Sequence, residues 1–272
     1  MKHIVSFSGG KDSTAMLIMM IEKGMQIDEI VFADTKLEFP EMYEYIDKVE
    51  DYIGRPITRL KTHKNFDDWF YGKVTRGKNK GIQRGFPLVA YPCYWNRESK
   101  LNVLNKKCKG NYRYIGIACD EPKRVRKHEG YIYPLVDWGV TESDCIEYLK
   151  ERDMLNPLYE RFDRLGCWLC PKQSIRSLES LYFYYPELWE KLKQYEKDDP
   201  NYDLFRLAMK TSAKRLFPNF SFLDAPFNKK YYKPNDYNSE VAYMGCRTRV
   251  MGNVYDPTRE VTCGRGNLSF TS

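Results

Sequence analysis

Val5-Ser6-Phe7-Ser8-Gly9-Gly10-Lys11-Asp12-Ser13, near the N-terminus, is the stretch whose reading decides the fold. Apolar and β-branched residues from His3 to Phe7 read as a buried strand. From Asp12 to Lys23, apolar residues recur at helical spacing (Ala15, Met16, Ile18, Met19, Met20). Two glycines join the elements. A strand–glycine–helix junction gathers backbone N–H groups and the positive end of a helix dipole, and glycines let a ligand approach the main chain. That describes an anion site, to which Ser8, Ser13 and Thr14 add hydroxyls and Lys11 a cation. The spacing is not that of the G-x-x-x-x-G-K-[ST] phosphate loop. The plainer reading of a glycine pair is a tight turn.

Working outward, Ile27–Thr35 reads as a second strand, and Pro40 stands near the start of a second helix. Its apolar stripe is Met42, Tyr43, Ile46, Val49 and Ile53, and Ile57–Leu60 reads as a third strand. The β-α-β-α-β order predicts an α/β fold, a doubly wound and mostly parallel sheet with a helical C-terminal part and an irregular tail. Ligands of open parallel sheets sit beyond the carboxyl ends of the strands, so Asp34 and Thr35 are expected to face the same crevice as the glycine loop. For Asp34 a turn or helix-capping role is the alternative. Tyr112–Ala118 is a further strand, running into Cys119-Asp120-Glu121-Pro122-Lys123-Arg124. Tyr133–Trp138 reads as a short apolar link. Thr141 caps a helix with Asp144 as its capping-box partner, and Cys145 on that helix reads as structural. Two helices span Pro171–Tyr195.

The 272 residues hold enough apolar side chains, 42%, for a sizeable core. No apolar run approaches the length of about 18 that suggests a membrane span, and the chain enters a strand without a signal-like core. A cytoplasmic protein without membrane contact is the expectation. In a reducing compartment the eight cysteines are thiols, metal ligands or catalytic groups rather than disulfides. The net charge of +7 is uneven: residues 200–272 carry 11 Lys+Arg against 6 Asp+Glu, leaving 33 against 31 for the rest. Residues 63–90 read as a mobile basic loop, with Lys73, Arg76, Lys78, Lys80 and Arg84 interleaved with glycines. Such a loop could fold over a polyanion or contact nucleic acid, or simply be solvated.

The string S-G-G-K-D-S resembles the pyrophosphate loop of the ATP-pyrophosphatase superfamily, which includes the phosphoadenosine phosphosulfate (PAPS) reductase-like proteins. The resemblance covers about residues 1–196 and implies an adenine nucleotide alpha hydrolase-like fold. It implies phosphate binding by Ser8, Gly9, Gly10, Lys11, Asp12 and Ser13, with Lys11 and Asp12 in catalytic roles. V-F-A-D-T-K-L-E-F fits the family's second strand and implies that Asp34 and Thr35 help hold the nucleotide. Gly116, Asp120, Glu121 and Arg124 take positions that lie against the nucleotide in the family, where the arginine could hold phosphate; a surface salt bridge is the alternative for the charged residues. The implied ligands are ATP or a related adenylyl nucleotide with Mg²⁺, and the implied activity is adenylylation or sulfur transfer, with a sulfur-donor protein as candidate partner and a homodimer as candidate assembly. The E-C-G-x-H ending of assimilatory PAPS reductases is missing, which favours an ATP-using relative over a sulfonucleotide reductase. The alternative is a nucleotide-binding module without turnover in a phage or mobile-element system.

Gly166-Cys167-Trp168-Leu169-Cys170-Pro171 is the second informative stretch. A C-x-x-C turn brings two sulfurs close enough to share a metal or cycle through a disulfide, yet supplies only half a site. A [4Fe–4S] cluster or Zn²⁺, a redox or sulfur-carrying thiol pair, and inert packing all remain open readings. By family resemblance Cys93 is the third candidate ligand. Cys119 is the candidate fourth.

From about Asp199 to Ser272 the sequence resembles an internal piece of the anaerobic, glycyl-radical ribonucleoside-triphosphate reductase. Cys246, in M-G-C-R-T-R-V, takes the place of its thiyl-radical cysteine. The expected domains are therefore 1–196, PAPS reductase-like, and 197–272, a reductase-like fragment. Without a glycyl-radical region, the fragment is expected to have no reductase activity of its own, although it could lead the chain to be classed with that enzyme. A gene fusion or rearrangement explains it most simply; assembly with reductase chains is the bolder reading.

Overall fold

A computed structural model describes residues 1–86, 93–170 and 173–199. Cys246 and the rest of the expected tail lie outside the described residues. The chain divides into two units, one formed by 1–66 and 94–168, the other by 67–93 and 169–272.

In the first unit β1 (His3–Phe7), α1 (Lys11–Glu22), β2 (Glu29–Asp34), α2 (Pro40–Ile53) and β3 (Thr58–Lys61) follow in the expected order. A short helix, α3 (Phe66–Phe70), leads into the second unit. The chain returns through α4 (Tyr94–Asn96), a π-helical turn at Arg97–Leu101 and α5 (Asn102–Cys108). It then forms β4 (Tyr112–Ile115), β5 (Tyr131–Ile132), α6 (Pro134–Asp137) and α7 (Glu142–Lys150). The second unit contains α8 (Ile175–Tyr184) and α9 (Pro186–Asp198).

The five strands form one parallel sheet in the order β3-β2-β1-β4-β5. Central β1 has neighbours on both edges, with Phe7 opposite Phe32 of β2 and Val5 opposite Tyr114 of β4. Ile4, Val5, Phe7, Val31, Phe32 and Ala33 are all buried, as fits parallel strands covered on both faces. The strand order runs outward from β1 to β3 and then restarts on the other side of β1 with β4. The switch point therefore lies between the carboxyl ends of β1 and β4, where open α/β sheets leave a crevice.

Several local expectations need correction. On α1, Leu17 is buried whereas Met19 is partly exposed; on α2 the buried aromatic is Tyr45, with Tyr43 and Ile53 only partly covered. Tyr45 is drawn in by a hydrogen bond from its hydroxyl to the Met154 carbonyl at 2.7 Å, a distant partner that helical spacing does not reveal. The link at Tyr133–Trp138 is largely a helix, α6, opened by Pro134. Residues 63–86 are not a featureless loop: α3 is followed by a turn closed by an antiparallel pairing of Lys73 with Gln83. The capping box at Thr141 forms as expected, and Cys145 is fully buried.

Candidate functional site

The loop between β1 and α1 is held from several sides. Gly9 has φ +74°, a left-handed conformation that favours glycine, and a Cβ there would lie 2.3 Å from the Met42 sulfur, which would have to shift. The Gly9 carbonyl accepts from Asn156 Nδ2 at 2.9 Å, and Lys11 N–H donates to the Tyr159 hydroxyl at 3.0 Å. Ser8 N–H donates to Ser13 Oγ at 3.1 Å, which in turn donates to the Gly10 carbonyl at 3.0 Å. Thr14 is fully buried and its hydroxyl also donates to Gly10, so Thr14 shapes the loop from beneath. Gly116, just after β4, serves close approach: a Cβ there would lie 2.7 Å from Ser13 Cα and 2.8 Å from Ser13 N. The start of α1 thus rests directly on the chain leaving β4. This is how the loop and the 116–124 segment meet at the switch point.

Charges converge at the same place. Lys11 Nζ lies 2.5 Å from Glu142 Oε1 and 3.6 Å from Asp12 Oδ1. Arg124 pairs with Glu121. Carboxylate oxygens of Asp12, Glu121 and Glu142 lie within 4.8 Å of one another. Burial pushes the Asp12 carboxyl up to about 6, against the pull of Lys11 and with the help of Glu142 and Glu121. Burial alone would lower Lys11, but its hydrogen bond to Glu142 and the nearby acids hold it above its ordinary value. Asp12 Oδ1 is buried without a hydrogen bond. Three hard oxygen donors, one of them unsatisfied, fit the chemistry of Mg²⁺. Asp120 steadies the arrangement by accepting from Glu142 N–H at 3.2 Å.

At the end of β2, Asp34 is buried and accepts from Lys36 N–H at 2.8 Å and from the Tyr43 hydroxyl at 2.9 Å. The turn role expected as the alternative is therefore present. Thr35 Oγ1 donates to Glu38 at 2.8 Å and lies 3.5 Å from Cys167 Sγ. Cys119 follows β4, its N–H donating to the Val140 carbonyl, so Cys119 and Cys167 stand at the ends of the two strands that flank β1. Cys93 and Cys170 belong to the second unit, where Cys170 O accepts from Gln173 N–H at 3.1 Å.

Residues 2–80 match the phosphoadenosine phosphosulfate reductase domain family. Over those residues the chain is PAPS reductase-like. A PAPS reductase of Alteromonas mediterranea is 24% identical over 178 residues, 61% of this chain and 68% of that one. An uncharacterized protein of Methanocaldococcus jannaschii is 33% identical over 208 residues, 69% of this chain. The chain spans only 40% of that relative's length. A nin-region protein of phage lambda is 28% identical over 205 residues, covering 65% of this chain and 68% of the phage protein. Residues 171–272 match the anaerobic ribonucleoside-triphosphate reductase family. That match begins ahead of α8, upstream of the start near Asp199 expected from the sequence.

In this PAPS reductase-like part, the structure brings Ser8–Ser13, Gly116, Glu121 and Arg124 to one end of β1 and β4, and Asp34 and Thr35 to the end of β2. Sequence reading missed Glu142, Asn156 and Tyr159. Glu142 could have been flagged as the acid that follows the Thr141 cap, but nothing local signals that it reaches Lys11, 131 positions earlier. Asn156 and Tyr159 sit at a 3-10 turn, Pro157–Glu160, and carry no motif.

Proposed function

We propose that the chain binds ATP or a related adenylyl nucleotide together with Mg²⁺ at the switch point, and uses it to adenylylate an acceptor or to assist sulfur transfer. The observation that carries this reading is the placement of the glycine loop, one lysine, one arginine and three carboxylates together at the ends of β1 and β4. Backbone N–H groups at the start of α1 and the hydroxyls of Ser8 and Ser13 would cradle the phosphates. Lys11, now paired with Glu142, would turn to phosphate, releasing Glu142 to join Asp12 and Glu121 around the metal. Bound Mg²⁺ would neutralise phosphate charge in the ground state and as it develops. Arg124 would hold a phosphate oxygen once separated from Glu121. In adenylylation an acceptor oxygen attacks the α-phosphorus and pyrophosphate departs, its negative charge stabilised by Lys11 and the loop.

Asp34 and Thr35 would bound the nucleotide on the β2 side. Cys167 and Cys170, with Cys93 and Cys119 as further candidates, would carry sulfur or hold a [4Fe–4S] cluster or Zn²⁺. Residues 1–196 form the catalytic part of this proposal, and 197–272 a reductase-like fragment that contains Cys246. Support comes from the similarity to PAPS reductases and from the donor set itself. Pyrophosphate release from ATP, with Mg²⁺ and anaerobically prepared protein, tests the reading. Release lost in Lys11→Ala upholds it, whereas ATP binding with no release under any sulfur donor favours the module without turnover.

A further inference from the structure

From Trp69 to Arg97 the chain contains six Lys+Arg and no Asp or Glu. An even spread of its 37 acids would place about four in that span. Within the second unit residues 70–86 of this stretch form a hydrogen-bonded finger. Arg84 N–H donates to Gly72 O at 2.9 Å, Val74 N–H to Ile82 O at 2.8 Å, and Gly81 N–H to Val74 O at 2.8 Å. The base is fixed by Gln83 Nε2 to the Asp198 carbonyl at 3.0 Å and by Phe86 N–H to the Asp199 carboxylate at 3.2 Å. Phe70 packs its ring against Phe86 and Tyr195 below. The finger is therefore built and anchored, and Lys73, Arg76, Lys78 and Lys80 on it are exposed. None of these four has an ion-pair partner among the described residues.

We infer that this finger binds the phosphodiester backbone of a nucleic acid. Four like charges on one short anchored turn, with no acid in the surrounding sequence from Trp69 to Arg97, form a local positive field suited to a partner with repeating anions. Thr75 and Asn79, exposed between the cations, add hydrogen-bond donors suited to phosphate and sugar oxygens. Exposed Tyr71 at the base offers a ring on which a base can stack. A membrane surface fits less well, because an interfacial element needs a broad apolar face and the finger exposes only Ile82 as a large aliphatic side chain.

The test is fluorescence anisotropy of the full chain with a labelled single-stranded RNA and a labelled duplex DNA across about 50 to 200 mM salt. Four phosphate contacts predict a slope of log affinity on log salt near −3 for the single strand, about a 50-fold loss over that range, and a somewhat steeper slope for duplex. Replacing Lys73, Arg76, Lys78 and Lys80 by Gln removes that dependence. Arg76→Gln with Lys78→Gln, at the tip and outside the paired positions, removes about half, and serves if the fourfold variant fails to fold. Because the tail is also basic, a matched variant carrying Gln at Arg215, Lys229, Lys230 and Lys233 is compared. Slopes that survive in the finger variants and vanish in the tail variant overturn the proposal. So does binding to vesicles rich in phosphatidylserine without binding to either nucleic acid.

Discussion

Asp12 is the residue on which the candidate site's electrostatics turn. It lies beside Lys11 yet has its carboxyl raised to about 6, because burial outweighs the pull of Lys11 and, more weakly, Arg124, and Glu142 and Glu121 add to the rise. A folded-state value above the unfolded one means that the native state binds the proton more tightly. The associated stability is present at low pH and is lost as pH rises from about 4 through about 6. The shift corresponds to roughly 3 kcal/mol at most. Asp12→Asn is therefore expected to stabilise the nucleotide-free protein at pH 8 by up to about 3 kcal/mol and to leave it nearly unchanged at pH 4. Denaturant melts at the two pH values check this. The same variant is expected to weaken Mg²⁺-dependent nucleotide binding, so a gain in stability accompanies a loss of affinity, the signature of a group held for function. Equal effects at both pH values would remove burial of the charge as the cause.

At the scale of elements, the site depends on α1 resting against the exit of β4 and on α7 presenting Glu142. Gly116→Ala places a methyl group 2.7–2.8 Å from Ser13 backbone atoms that cannot yield without moving the loop. We expect a cost of about 1–3 kcal/mol and weaker nucleotide binding, read by thermal melts and calorimetry. Thr141→Ala removes the acceptor for Asp144 N–H, found at 3.1 Å, and is expected to cost about 1 kcal/mol. Since Glu142 opens that helix, the loss should alter nucleotide affinity only a few-fold, whereas Glu142→Gln should alter it more. Sequence alone made much of this legible. Glycines, strand ends and a capping box are local signals, and they correctly placed β1, α1, β2, α2 and α7. Tyr45, Glu142, Asn156 and Tyr159 were not legible, because each acquires its role from a partner far away in the chain. Asp34 shows the middle case: its position at a strand end was predictable, while its turn bonds to Lys36 and Tyr43 decide what the apo side chain does.

At the scale of the molecule, the chain joins a PAPS reductase-like part to a segment matching a different reductase. α9 continues to Asp198, and Asp198 and Asp199 anchor the basic finger. A chain ending at residue 199 is therefore expected to keep the finger's protection from proteolysis, and one ending at 196 to lose it; equal cleavage of the two would show that those anchors are dispensable. Both truncations should keep the nucleotide site, whose residues all precede them. The central claim, that the glycine loop and the acid trio jointly hold a metal–nucleotide complex, is tested most directly by calorimetric titration of ATP into the full chain with and without Mg²⁺. Wild type, Lys11→Ala and Glu142→Gln would be compared. The account predicts binding that depends on Mg²⁺ in the wild type and is weakened at least about tenfold in Lys11→Ala, the loss of roughly one charge-assisted phosphate contact. Binding of ATP that is indifferent to both Mg²⁺ and Lys11, or no binding to folded protein, would contradict it.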